Sequence, residues 1–368
     1  MTELRDLTHI TCVPEQRSRR DKALQQQVRS FLPELDQLER LLAEAPPQFS
    51  ANVIGHSCVA EHRLPLYQVK VGNAAPESPV LLLVGGVHGL ERIGSRVVME
   101  WLRTLSKRLQ WDQHLSALLD RVQLVAIPLL NPGGMLLNQR GNPAGVDLMR
   151  NAPIAAQDPS TFMLGGQRLS PYLPWYMGKP GQPMEPENIA LQAVIDELLT
   201  NRPFSLSLDC HSGFGWQDQL WFPYAYRRRP MRKLDSVFAL KLLWEQAYPH
   251  HNYVIEPQSR HYLTHGDLWD YFYKRHNRRG AGNYIPLTLE MGSWRWIRKR
   301  PRQLLNLEGL FNPLVPHRLQ RVLRSHLTLF NFLLEATAQH ENWLPHGSHA
   351  QTLRQAAIRH WYPYETEF

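Results

Sequence analysis

The sequence has few cysteines and no long apolar segment, and each shortage excludes a class of protein. Its three cysteines, Cys12, Cys58 and Cys210, are too few and too scattered among 368 residues to form a disulfide framework. No window reaches the roughly 18 apolar residues that a membrane-spanning helix needs. The first residues contain acids and lack the apolar core of a signal peptide. We therefore expect a cytoplasmic protein without a membrane partner, and we leave the oligomeric state open.

Nucleic-acid motifs are also lacking, although the net charge is +8. The basic residues lie in short clusters, at 227–229 and 298–302, that no recognition motif accompanies. We therefore expect no nucleic-acid partner. With 43% hydrophobic and 20% charged residues, the composition is that of a globular protein.

Short apolar runs alternate with helical patterns along the chain. The runs that predict strands buried on both faces are 79–84, 122–130, 204–208 and 284–289. A further strand is predicted from Leu64 by alternation. The segments with helical periodicity are 92–109, 186–200, 231–247 and 266–276. This order predicts an α/β domain with a mostly parallel or mixed sheet.

The chain divides into three predicted parts. Residues 1–50 form an N-terminal helical segment packed on the main domain, 51–340 form that domain, and 341–368 form a C-terminal tail. Within the main domain, 301–337 is expected to be helical and to pack on the outside. The loop 153–186 is long and rich in Pro, Gly, Tyr and Trp, which favours a role as a wall of the active site.

Three polar residues at strand ends suit a metal ion. His88 and Glu91 follow a buried run and a glycine pair, and of the 17 histidines His88 alone has Glu three residues later. His211 ends another buried run, where strand alternation points Cys210 to the opposite face. Imidazole and carboxylate are zinc ligands. The alternatives are a polar strand end without metal and a structural histidine.

Glu290 lies at the end of a further buried run. Three protein ligands leave a zinc position open for water, and that water needs a general base, for which a carboxylate is the usual choice. The alternative is an ion pair between Glu290 and Arg295 or Arg298.

Two arginines, Arg140 and Arg150, lie in a glycine-rich segment that follows the run 122–130. A guanidinium binds a carboxylate through two donors, or polarises a carbonyl. Surface arginines are the alternative, but the glycine-rich context favours an ordered loop.

Taken in order, these segments resemble the zinc carboxypeptidases, the M14 metallopeptidases. The resemblance covers about residues 79–292 and includes the H-x-x-E turn, the series N-P-x-G, R-x-N and G-V-D-x-x-R-N, and the two strand ends. It implies a mixed, mostly buried eight-stranded sheet flanked by helices. It also implies one zinc ion per chain, with these roles: ligands His88, Glu91 and His211; general base Glu290, acting on a zinc-bound water; carbonyl polarisation by Arg140; substrate binding by Arg140, Asn142, Arg150 and Tyr262.

Two residues depart from the family's pattern. Met149 stands where the family usually has the Asn that assists the carboxylate-binding Arg150, and Leu90 stands where many digestive members have Arg. A standard digestive specificity is therefore not expected. We expect a preference for substrates with a second anchor.

The function expected from these observations is zinc-dependent, carboxypeptidase-like hydrolysis of a C-terminal or unusual peptide bond. One alternative is an amidohydrolase that removes acyl groups from amino acids, similar to succinylglutamate desuccinylase or aspartoacylase, because the Gly-x-His-Gly-x-Glu turn is typical of that branch too. The substrate is accordingly a peptide or an acyl-amino acid. Another alternative is an inactive binding protein, although Glu290 would then serve no purpose.

Overall fold

The computed structural model describes residues 31–199, 201–279 and 282–363. A mixed eight-stranded sheet organises them, in the order β1-β2-β4-β3-β5-β8-β6-β7. The strands are β1 (Phe49–Val59), β2 (His62–Gly72), β3 (Val80–Gly85), β4 (Gln123–Ile127), β5 (Phe204–Ser212), β6 (Asp218–Phe222), β7 (Tyr253–Pro257) and β8 (Asn283–Met291). The predicted fold class is confirmed.

The middle of the sheet consists of four parallel strands, β4, β3, β5 and β8. These are the four predicted apolar runs, and β3, β4 and β5 are buried along their whole lengths. The parallel strands end at one edge, where open α/β sheets bind their ligands. Strands β1, β6 and β7 were not predicted. Strand β1 is mostly exposed or half-buried, and β6 and β7 each contain only three consecutive apolar residues.

Helices pack on both the middle and the margins of this sheet. They are α1 (Pro33–Ala43), α2 (Arg92–Arg108), α3 (Gln113–Leu119), α4 (Pro132–Leu136), α5 (Pro186–Leu198), α6 (Leu234–Ala247), α7 (Leu268–Arg279), α8 (Trp294–Lys299), α9 (Leu307–Phe311), α10 (Pro316–Ala338) and α11 (Gly347–Trp361). Helices α2 and α10 lie against β3 and β5, and α7 lies against β8. Trp101 of α2 meets Phe330 of α10 edge to face at 5.6 Å. None of the helices in the described part of the chain has the length and apolarity to span a bilayer.

The C-terminal part of the described chain is helical. Most of the predicted tail 341–368 is helix α11, which packs on α6. Its Trp361 is buried, and the Trp361 ring lies 4.7 Å from that of Phe222. The helix was missed because its apolar positions are few. The segment 301–337, which was predicted to be helical, consists of a 3-10 turn, α9 and most of α10.

The N-terminal segment is represented by α1, since residues 1–30 lie outside the described part. Glu34 of α1 is fully buried and bonds Arg92 at 2.6 Å and Arg96 at 2.8 Å. A buried carboxylate needs such partners. The ion pairs attach α1 to the first turn of α2, directly after Glu91.

Candidate active site

The first candidate ligands lie on the turn between β3 and α2. Gly86 has a φ of +68°, and a side chain there would collide with Ser95 and Met135. Glycine is therefore required for the chain to turn so tightly. The turn places His88 and Glu91 above the end of β3, with α2 beginning at the next residue, Arg92.

His88, Glu91 and His211 converge at this edge of the sheet. Their ligand atoms all lie within 4.8 Å of one another, and all three residues are buried. Glu91 Oε1 is 2.8 Å from His88 Nδ1, Glu91 Oε2 is 3.0 Å from His211 Nδ1, and the two Nδ1 atoms are 3.2 Å apart. Cys210 points away and packs beneath Gly94 of α2, as strand alternation predicted. Two imidazoles and a carboxylate at this spacing fit a zinc ion.

The outer nitrogens of both histidines bond to carboxylates. His88 Nε2 lies 2.9 Å from Asp147 Oδ1, and His211 Nε2 lies 2.6 Å from Asp209 Oδ2. Asp209 in turn accepts a hydrogen bond of 2.7 Å from Trp269 Nε1. Such partners fix the imidazole so that Nδ1 faces the metal, and they raise the basicity of the ligand. Burial alone would lower the pKa of His211, but Asp209 holds that pKa well above its ordinary value.

Arg140 joins the carboxylates of this network. Its Nη1 donates to Glu91 at 2.9 Å and its Nε to Asp147 at 3.0 Å. Burial alone would raise the pKa of Glu91, but the charge of His88 and the bonds from both histidines hold that pKa well below its ordinary value. Glu91 is therefore kept as a carboxylate, the form that binds a metal.

Glu290 stands next to His211 on the neighbouring strand. The two residues are register partners in the parallel pair β5–β8, so their side chains leave the sheet on the same face. Glu290 Oε1 accepts a hydrogen bond of 3.0 Å from Phe214 N. Arg295 does not pair with Glu290 but with Asp218, at 2.6 Å. Burial, and then the charge of Glu91, raise the pKa of Glu290 to about 8.

Arg150 and Tyr262 lie together on another side of the site. Arg150 is buried, yet its Nε has no hydrogen-bond partner among the described residues, and its Nη1 makes one long bond of 3.4 Å to Met149 O. The guanidinium lies 5.9 Å from the centroid of the Tyr262 ring. The backbones of Gly266 and Arg150 lie so close together that a side chain at Gly266 would overlap the Arg150 carbonyl oxygen. An arginine so placed can still bind an anion.

Asn142 lies in the loop beside the site, and its side chain is hydrogen-bonded to other residues of the protein. Its Nδ2 donates to Glu185 at 2.7 Å, and its Oδ1 accepts from Ala144 N and Val146 N. With both ends of its amide bonded and the residue buried, Asn142 orders the loop that carries Arg140 and Arg150. Its substrate-binding role stays a prediction.

The long loop 153–186 is anchored next to Arg150. Its Gly166 packs beside the aliphatic stem of Arg150. His265 holds the loop by accepting from Ala156 N at 3.1 Å and by contacting Ser160 Oγ at 3.0 Å. The loop therefore borders the site on the Arg150 side, where the sequence predicted a wall.

The turn that carries His88 and Glu91 is also hydrogen-bonded to a segment that is distant in the sequence. Asn312, at the end of α9, donates to Leu90 O at 2.7 Å and accepts from Ile93 N at 2.9 Å. It therefore bonds the backbone on both sides of Glu91. Ser212, next to His211, donates to Phe311 O at 2.7 Å. Sequence reasoning missed this clamp, and no local pattern signals a contact across 222 residues.

Sequence reasoning also missed the roles of Asp147, Asp209 and Trp269. A usable signal existed for Asp209, because a residue two positions before His211 on a strand points to the same face. Asp147 belongs to the G-V-D-x-x-R-N segment quoted for its arginine. Nothing in the sequence indicates that Trp269 contacts Asp209.

Comparison with known proteins identifies the class that this fold and site define. Residues 35–296 match the Peptidase M14 family, described as zinc carboxypeptidase. Because the match covers most of the chain, the protein belongs to this family. The resemblance to the zinc carboxypeptidases that the sequence analysis found is confirmed.

Solved structures agree on the fold. Bovine thrombin-activatable fibrinolysis inhibitor, solved in complex with tick carboxypeptidase inhibitor, superposes with a TM-score of 0.62 at 17% identity, over 84% of this chain and 97% of that one. Carboxypeptidase A from Helicoverpa armigera gives a TM-score of 0.61 at 16% identity, over 86% and 81%. Among curated relatives, carboxypeptidase D of Anas platyrhynchos is 26% identical over 145 residues, which span 39% of this chain and 9% of that protein.

Proposed function

We propose that this chain is a zinc-dependent, carboxypeptidase-like hydrolase that cleaves the C-terminal amide bond of a peptide. The observation that carries the proposal is the pairing of His211 with Glu290 on adjacent strands, which sets a buried carboxylate beside the cluster of His88, Glu91 and His211. Membership in the zinc carboxypeptidase family supports the same chemistry. His88, Glu91 and His211 would hold the ion.

The base in this proposal is Glu290. A zinc ion in the cluster would supply Lewis-acid chemistry, polarising a carbonyl and lowering the pKa of water. Glu290 would accept the proton of the attacking water and transfer it to the leaving amine. Burial raises the pKa of Glu290, and a metal cation in the neighbouring cluster would oppose part of that rise and favour the carboxylate, the form that accepts a proton.

Arg140 would stabilise the negative charge that develops on the carbonyl oxygen. Its Nε and Nη1 are fixed by Asp147 and Glu91, and its side chain stays 24% exposed. No bond from its Nη2 is found among the described residues, so this nitrogen can donate to a substrate. A donor held in place before reaction costs little reorganisation in the transition state.

Arg150 and Tyr262 would bind the substrate's terminal carboxylate. Among the described residues no carboxylate forms an ion pair with Arg150, although the charges of Asp147 and Asp267 act on it. An anionic ligand there would be stabilised by the guanidinium charge. Met149 offers no strong donor beside Arg150, and one missing hydrogen bond to a charged group is worth about 1.5–3 kcal/mol. We therefore expect weak binding of simple peptides and a preference for substrates with a second anchor.

The experiment that tests this function combines metal analysis with a substrate panel. The purified protein is expected to contain one zinc ion per chain and to release the C-terminal residue of an N-acetylated dipeptide, but not of its C-terminal amide. The panel includes a γ-glutamyl peptide and a diaminopimelate-containing peptide as branched substrates. It also includes acetylaspartate and succinylglutamate. Cleavage of these two acyl-amino acids without any cleavage of peptides would contradict the proposal and support the amidohydrolase alternative.

The cytoplasmic location and the lack of nucleic-acid or membrane partners stay predictions from the sequence. Fractionation of cells that express the full chain measures the location. Recovery in the membrane pellet or the culture medium would contradict it.

A further inference from the structure

A continuous group of aromatic rings extends from Tyr262 away from Arg150. The Phe214 ring lies 6.1 Å from that of Tyr262, the Trp294 ring lies 5.5 Å from Phe214, and the Trp216 ring lies 5.8 Å from Trp294. We refer to Phe214, Trp216 and Trp294 as the aromatic platform. Its two tryptophan rings meet at 87° and form a corner.

The platform is open on its outer side. Trp216 is 53% exposed and Trp294 is 39% exposed, although both side chains are large and apolar. The neighbouring Trp221, which contacts Phe214 at 5.6 Å, is buried and supports the platform from below. Contiguous exposed aromatic surface beside a catalytic site is typical of a binding site.

The platform is held rigidly. Trp294 N donates to Gly215 O at 3.2 Å, and Trp294 Nε1 donates to Gly213 O at 3.3 Å. The next residue, Arg295, forms an ion pair of 2.6 Å with Asp218. Trp294 is therefore tied through both its backbone and its ring to the turn that carries Phe214. Because these groups are ordered before a ligand arrives, little entropy is lost when it binds.

The position of the platform indicates which part of a substrate it meets. Tyr262 contacts Arg150 on one side and Phe214 on another. Glu290 lies next to the platform, since Phe214 N donates to it at 3.0 Å, and its charge acts on Tyr262. A substrate with its terminal carboxylate at Arg150 and its scissile bond at Glu290 would extend its amino-terminal part toward the platform.

We propose that the aromatic platform binds an aromatic side chain of the substrate residue that supplies the scissile carbonyl. This inference rests on the proposed function and adds the substrate class to it. The corner of two tryptophan rings offers one face and one edge to a planar side chain, which is the preferred geometry of aromatic pairs. The charge of Arg295, the residue after Trp294, is paired with Asp218 at 2.6 Å.

The test uses four peptides, acetyl-Gly-X-Leu with X being Ala, Leu, Phe or Trp. We expect kcat/KM to be about tenfold higher for Trp and Phe than for Ala, with Leu between them. Trp294→Ala and Trp216→Ala are each expected to reduce the Trp-to-Ala ratio to about one to three. Trp294→Phe is expected to keep most of the ratio. Trp111→Ala, which removes a 73% exposed tryptophan elsewhere, is the matched control and should leave the ratio unchanged.

Binding to Glu290→Gln separates this inference from the proposed function. Calorimetry of the same peptides on that variant is expected to give a dissociation constant about tenfold lower for Trp than for Ala, and the double variant with Trp216→Ala should lose the difference. Binding preference without hydrolysis by the wild type would overturn the proposed function and leave the platform intact. Hydrolysis of all four peptides at equal rates, or a Trp-to-Ala ratio that Trp216→Ala and Trp294→Ala leave unchanged, would overturn the platform.

Discussion

The site has two ends that differ in how completely their side chains are hydrogen-bonded within the protein. The metal end consists of His88, Glu91 and His211, and the substrate end contains Arg150. At the metal end, both oxygens of Glu91 and both ring nitrogens of His88 and of His211 have partners within 3.2 Å. At the substrate end, Arg150 is buried, its Nε has no hydrogen-bond partner among the described residues, and its Nη1 makes a long bond of 3.4 Å to Met149 O. The comparison indicates that the fold builds the metal end by itself, and it supports the proposal that a ligand completes the substrate end.

The most damaging change to the metal end is removal of an imidazole. His88→Ala and His211→Ala are each expected to reduce zinc from one ion per chain to less than about a tenth, because two protein ligands bind zinc far more weakly than three. Elemental analysis of the dialysed protein measures this. His265→Ala, which removes a histidine that holds only a loop, is the control and should keep its zinc. Full zinc content in the double variant would refute the assignment.

The substrate end is expected to respond more weakly and in a different kinetic constant. Arg150→Ala should raise KM for an N-acetylated dipeptide by about tenfold to a hundredfold, the effect of one hydrogen-bonded charge, and should leave zinc content unchanged. Steady-state kinetics on the free acid and on its C-terminal amide measure the effect. If both substrates respond equally, or if neither responds, Arg150 does not bind the carboxylate.

The smallest expected effect concerns the clamp behind the ligand turn. Asn312→Ala removes both bonds to the backbone around Glu91 and is expected to weaken zinc binding by about tenfold, the lower end of the range for groups outside the ligand sphere. Competition with a fluorescent chelator gives the affinity. Asn306→Ala, in the same segment but bonded to Glu308 N, is the matched control. Equal zinc affinity of both variants and the wild type would show that the turn needs no clamp.

The same contrast explains what could be predicted from the sequence. The residues at the metal end follow buried strands within short motifs, so strand ends, spacing and the family resemblance together predicted that His88, Glu91 and His211 converge. The central strands were predictable for a similar reason, since burial on both faces leaves a continuous apolar run.

Other features depend on contacts between distant segments. The bonds of Asp209 to Trp269 and of Leu90 to Asn312 cross 60 and 222 residues, and no periodicity links such positions. Helix α11 buries Trp361 and Ala357 but presents few other buried side chains, so its sequence looks like a polar tail. The substrate-binding roles of Arg150 and Tyr262 were implied by the resemblance and stay predictions.

The measurement that tests the account most directly is zinc content and turnover of Glu290→Gln, determined on the same preparation. The amide has nearly the shape of the carboxylate but cannot accept a proton. We predict one zinc ion per chain and a kcat at least about a hundredfold below that of the wild type. Unchanged kcat on a verified peptide substrate would remove Glu290 from the mechanism, and loss of zinc from this variant would contradict a metal end that His88, Glu91 and His211 complete without it.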